Sequence, residues 1–114
     1  MSNNTNPVLE FVDAIIPASG TKSAAVDLKG ATLCGLFMPA TFTGTALKFE
    51  ASTISNATFV PVYNSNNSEV SIPVGTSRYV ALDPSDFAGI RSIKVVSGTT
   101  EGAERTIQLA VRPV

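Results

Sequence analysis

The chain has no histidine, no tryptophan and a single cysteine in 114 residues. Each absence closes off a class of chemistry. Without histidine the usual proton carrier near neutral pH is missing, and the Ser-His-Asp and Cys-His nucleophile arrangements go with it. A lone Cys34 excludes an intrachain disulfide, and with no second Cys and no His the usual zinc spacings cannot be written. Charge is sparse: 8 Lys plus Arg stand against 9 Asp plus Glu, a formal net charge of -1. The cations are scattered from Lys22 to Arg112, so no basic block exists to hold phosphates, and nucleic acid is not expected as a partner. Apolar runs last only a few residues, far short of the about 20 needed to cross a bilayer, and no membrane partner is expected. The opening residues also lack the positive and apolar regions of a secretory signal, which leads to an expectation of synthesis and residence in the cytosol.

What is present is a β-type pattern. A chain of this size buries roughly 65% of its unfolded surface, enough for one hydrophobic core. Residues 1–7 are polar and Asn-rich and end in Pro7, a composition that cannot offset its own ordering entropy, so the expected organisation is a flexible arm followed by one domain over 8–114. From there the sequence breaks into short segments of strand composition: 9–16, 24–28, 32–38, 46–52, 58–63, 69–74, 78–82, 92–96 and 105–111. Alternation assigns faces. Leu47, Phe49 and Ala51 lie opposite Lys48, Glu50 and Ser52; Val70, Ile72 and Val74 lie opposite Glu69 and Ser71; Ile107, Leu109 and Val111 lie opposite Thr106, Gln108 and Arg112. Segment 32–38 is apolar on both sides, which fits either a strand covered on both faces or one whose second face meets another subunit. Residues 64–68 (Asn-Ser-Asn-Asn-Ser) and 98–104 read as hairpin loops. Asp83 as N-cap, Pro84 at the first helical position and Gly89 as terminator predict one short helical turn. The expectation is an all-β antiparallel β-sandwich, jelly-roll-like, of about nine short strands.

No group of residues points to catalysis. Asp83 and Asp86 are the closest acidic pair in sequence and are accounted for by the capped turn; Glu101 and Glu104 read as solvated loop charges. The glycines match no phosphate-binding pattern. Asn64, Asn66, Asn67 and Glu69 offer oxygens within one loop but only one carboxylate, too few for a usual calcium site. Cys34, inside an apolar run, reads as an inert core thiol. The expectation is therefore a protein that is not an enzyme and carries no cofactor or metal. Carbohydrate binding is a rival, since exposed aromatic faces stack on sugar rings. Most of the Phe residues are expected on inward rows, leaving Tyr63, Tyr79 and Phe42 as platforms.

Gly35-Leu36-Phe37-Met38-Pro39-Ala40-Thr41-Phe42-Thr43-Gly44-Thr45-Ala46-Leu47-Lys48-Phe49 resembles a stretch of the small β-sandwich structural proteins of tailed bacteriophage virions, in which an apolar strand ends in Met-Pro-Ala and the next begins Leu-x-Phe. Phe59-Val60-Pro61-Val62-Tyr63, Tyr79-Val80-Ala81-Leu82-Asp83-Pro84 and Ile93-Lys94-Val95-Val96-Ser97-Gly98-Thr99 follow in the same order. The resemblance covers about residues 10–113. It implies a protein made in the host cytoplasm that assembles onto a virion. Within that set, size, near-neutral charge, one domain and a polar arm favour a capsid decoration or cement protein bound to the major capsid protein or other virion proteins on the capsid surface. A homo-oligomer is expected, most simply a trimer about a local symmetry axis. The arm residues Ser2, Asn3, Asn4, Thr5, Asn6 and Pro7 are the expected partner-binding residues. The alternative is a tail- or fibre-associated adhesion module that binds a host surface glycan.

Overall fold

The computed structural model describes residues 10–53 and 58–112. Among the described residues nine strands form two antiparallel sheets. The first contains, in spatial order, β1 (Glu10–Ile16), β9 (Arg105–Arg112), β3 (Thr32–Phe37) and β7 (Tyr79–Ala81). The second runs β2 (Val26–Asp27), β8 (Ser92–Ser97) and β4 (Ala46–Ser52), with β5 (Val60–Pro61) and β6 (Ser71–Pro73) on the outer edge of β4.

β5 pairs with Glu50 and Ala51, while β6 pairs with residues 46–48, so the two lie end to end along the same edge. They amount to one edge strand interrupted by the excursion 62–70. Counted that way, all connections except β4 to β5 cross between sheets, which is the jelly-roll order anticipated from the sequence. The excursion is the hairpin expected at 64–68. Tyr63 bridges Glu69, and the Asn64 side-chain oxygen accepts from the amides of Asn66 at 2.9 Å and Ser68 at 3.1 Å. Asn67 takes the left-handed conformation that Asn tolerates, at φ 62°.

Segment 98–104 is not a hairpin. β8 belongs to the second sheet and β9 to the first, so the chain crosses the end of the sandwich between them. Local turn chemistry predicts reversal of the chain, but it does not say whether the next strand joins the same sheet.

The core lies between the sheets, and the inward rows read from alternation supply much of it. Leu47, Phe49, Ile107, Leu109 and Val111 are buried, as are Leu33 and Leu36 of β3 and Ala14 and Ile16 of β1. Val70 is buried, and Ala51, Ile72 and Val74 are partly buried against the core. Ser52, expected on the wet side of β4, is buried instead. The short helical turn forms as a 3-10 turn at Pro84–Asp86. Asp83 caps it by accepting from the Ser85 amide at 3.1 Å, and Gly89 leaves it at φ 86°, which only glycine adopts without strain. That turn drives Phe87 into the core, where its ring meets Phe49 edge-on at 5.0 Å.

Cys34 departs from expectation. Leu33 pairs with Val111 and Gly35 with Ala110, leaving Cys34 as the extra residue of a β-bulge. It is half-buried, with its thiol directed to the Ala110 carbonyl at 3.3 Å, and is not part of the buried core.

Candidate functional site

The two outer faces of the sandwich differ in chemistry. On the second sheet, Lys22 pairs with Glu50 at 2.9 Å and Lys48 with Glu69 at 3.5 Å. Lys94, opposite Glu50 in the register, sits 4.7 Å from the centre of the Phe59 ring. Such a face is satisfied by water.

The first sheet presents Phe11, Ile15, Phe37 and Tyr79 outward, each between 43% and 49% exposed. Antiparallel register sets them in rows across the strands. One row runs Phe11, Ala110, Gly35, Ala81; the next runs Asp13, Gln108, Phe37, Tyr79. Small residues in one row and large rings around them give a continuous aromatic surface. The Phe11 and Phe37 rings meet edge-on at 5.6 Å, and Phe37 and Tyr79 at 5.2 Å. Ala110, between Phe11 and Gly35 in the register, is fully buried. The Tyr79 ring lies across Gly35, where any Cβ would overlap its hydroxyl, and the hydroxyl reaches the Cys34 carbonyl at 3.5 Å. Desolvation, with the Cys34 thiol adding to it, raises the pKa of Tyr79 above its usual value, so the phenol stays neutral at physiological pH. An aromatic side chain has about 200 Å² to bury, so three rings a little under half exposed, together with Ile15, leave roughly 350 Å² of apolar surface. That equals the largest patches usual on monomeric proteins, which are often functional.

The residues singled out in the sequence are distributed unevenly. Ser2 to Pro7 lie outside the described residues. Tyr79 belongs to the aromatic face. Tyr63, 53% exposed, stands on the other sheet's edge excursion, and Phe42 is buried. The expectation that most Phe point inward fails for Phe11 and Phe37. Both were legible in part: Phe11 shares the parity of Asp13, and Phe37 follows the inward Leu36 directly.

The expected acidic loop charges also divide. Glu104 is exposed, but Glu101 is completely buried, which corrects its reading as a solvated charge. Its carboxylate accepts from the amides of Thr43 at 2.9 Å and Gly44 at 3.1 Å, from the Ser97 hydroxyl at 3.1 Å and from Arg105 Nε at 2.9 Å. Its backbone accepts from Ser19 and donates to Gly20. Burial pushes its pKa up, but the donors from Thr43, Arg105, Ser97 and Gly44 together outweigh burial and hold it below the usual value. Glu101 thus joins the β1–β2, β3–β4 and β8–β9 connections at one end of the sandwich. Asp27 is likewise committed, to Arg91 Nε at 2.8 Å and the Lys29 amide at 2.9 Å. Asp83 is held by Ser85. These carboxylates are structural partners, and no metal-binding cluster of His, Cys, Asp or Glu occurs among the described residues.

No protein-family model matches the chain, and neither a curated protein nor a solved structure matches it significantly.

Proposed function

We propose that this chain is a bacteriophage virion structural protein, a capsid decoration or cement protein that binds the major capsid protein or other virion proteins as a homo-oligomer. The observation that carries this reading is the contrast between the outer faces: one is laced with ion pairs, and the other is an aromatic sheet surface of roughly 350 Å² with none of the described residues lying over it. A domain whose Glu101, Asp27 and Asp83 carboxylates are committed to holding loops and a cap, and which presents a largely apolar sheet face, acts by binding protein. The ordered resemblance over about residues 10–113 supplies the virion context. In that role the protein is made in the host cytoplasm, carries out no catalysis, needs no cofactor and adds to the capsid surface, where many copies on a lattice stabilise the assembled shell by binding it in preference to its dissociated parts.

Particles assembled without the protein provide the test. Added protein should bind them to a fixed stoichiometry and raise their resistance to heat, and deletion of residues 2–7 should lower that occupancy while leaving the sandwich folded. Absence of saturable uptake would refute the assignment. The exposure of Tyr63 and Tyr79 favours one second reading, an adhesion module that binds surface glycan. It predicts saturable binding on a glycan array that is lost in Tyr63→Ala or Tyr79→Ala; the decoration reading predicts no glycan signal.

A further inference from the structure

From the aromatic face of the first sheet we infer that its occupant is a second copy of this chain, packed face to face about a two-fold axis. This goes beyond the virion assignment and does not depend on it.

Three observations argue for it. The face sets large rings among Ala and Gly, with Asp13, Gln108 and Arg112 beside them, so a second copy stacked about 10 Å away meets a surface of its own kind. Its area is adequate for a modest interface. Four strands span about 19 Å and the seven residues of β1 about 24 Å, a footprint of roughly 450 Å² per copy, about half of the usual ~800 Å² per partner and in the range of weak contacts. The pairing should therefore be concentration-dependent.

Charge decides the partner. Asp13 and Arg112 both point out from this face, and among the described residues neither forms an ion pair. In the register Asp13 lies beside Gln108, and Arg112 is four residues farther along β9, about 13 Å away. The row midway between them is Phe11–Ala110–Gly35. A two-fold axis across the strands at that row places Asp13 of each copy over the Arg112 end of the other, on neighbouring strands. Both charges are answered twice by one operation, which is the self-complementarity an isologous contact requires. A three-fold ring, the simplest expectation from lattice symmetry, sets the β1 side of one sheet against the β7 side of the next. There the outward residues of β7, Tyr79 and Ala81, are uncharged, and the exposed Arg78 just before them turns its Nε back to the Thr76 carbonyl at 3.1 Å.

Sedimentation equilibrium of the full chain, without particles, from low micromolar to near-millimolar concentration, tests the inference. The mass should rise from 11.9 kDa to twice that value. Phe37→Ser and, as a second variant in case one misfolds, Phe11→Ser should each weaken association by about tenfold or more, with circular dichroism unchanged. Asp13→Arg and Arg112→Asp should each weaken it, and the two together should restore it. A monomer at every concentration, a trimer mass, association indifferent to both Phe changes, or a double charge swap that fails to restore pairing would overturn the proposal. Pairing without particle uptake would sink the decoration reading alone, and uptake by a strict monomer would sink this inference alone.

Discussion

Replacing Glu101 by Ala should be among the most damaging single changes available outside the apolar core. The carboxylate is fully buried and satisfies two backbone amides, shares the Ser97 hydroxyl with the Thr99 carbonyl, and neutralises Arg105, whose side chain is only 12% exposed. Alanine would strand those donors together with a largely desolvated guanidinium. Removing one member of a buried pair typically costs about 3–5 kcal/mol, against a whole-domain stability of about 5–15 kcal/mol. With an unfolding entropy near 2.1 cal/mol/K per residue over 114 residues, that corresponds to a fall in Tm of about 13–21 °C. Glu101→Gln should cost about half as much. One amide oxygen can still accept from Thr43 and Arg105, and the new NH₂ can donate to Ser97 Oγ while Ser97 donates to Thr99, leaving Gly44 as the orphaned amide. The pH dependence follows from the depressed pKa. A carboxylate whose folded pKa lies below its unfolded value stabilises fully above the usual Glu value near 4.5, and the gain is lost as pH falls through the folded pKa. The stability gap between the natural chain and Glu101→Gln should thus be constant from pH 6 to 8 and narrow below about 4.3. Urea unfolding at a series of pH values measures it. A Glu101→Ala cost under about 1 kcal/mol, or a gap that stays constant into acid, would refute the account of Glu101 as the tie between three loops.

Phe87→Ala should destabilise by about 3–5 kcal/mol in the same assay, since a fully buried ring against Phe49 leaves a cavity that the capped turn cannot collapse to fill. Cys34→Ala should cost under about 1 kcal/mol, because the thiol is a bulge residue with one weak contact to the Ala110 carbonyl. Gly35→Ala should leave the melting temperature nearly unchanged yet displace the Tyr79 ring, which is the far end of a flexible side chain, and a change in tyrosine fluorescence or near-ultraviolet dichroism without loss of far-ultraviolet signal checks it.

Strand positions were legible because they depend on short-range chemistry. Alternation in 46–52, Pro after 32–38 and Asp83-Pro84 with Gly89 each act over a few residues, and the elements formed where those signals lie. The inward row Leu47–Phe49 and the row Ile107–Leu109–Val111 follow from the same period of two, since a one-residue slip would turn each row to water. The β8–β9 connection shows where such reasoning stops. Gly98, Gly102 and the polar residues around them specify a turn, and a turn is compatible with either sheet.

Sequence alone determined that this is an all-β domain with one core, an Asn-rich excursion and a capped turn, because hydrophobic period and turn residues are properties of neighbours along the chain. Tertiary structure decided the rest. Glu101 is buried because donors from Thr43, Gly44, Ser97 and Arg105 converge on it, and two of those four, Thr43 and Gly44, lie in the β3–β4 connection, which only the jelly-roll path brings to that end. Phe11, Phe37 and Tyr79 form one surface because β1, β9, β3 and β7 are adjacent in space in an order unrelated to their order in the chain. Their hydrophobicity alone argued for burial. The interior between the sheets was already filled by Leu36, Leu109 and Ile107, and the pleat left the rings on the other side.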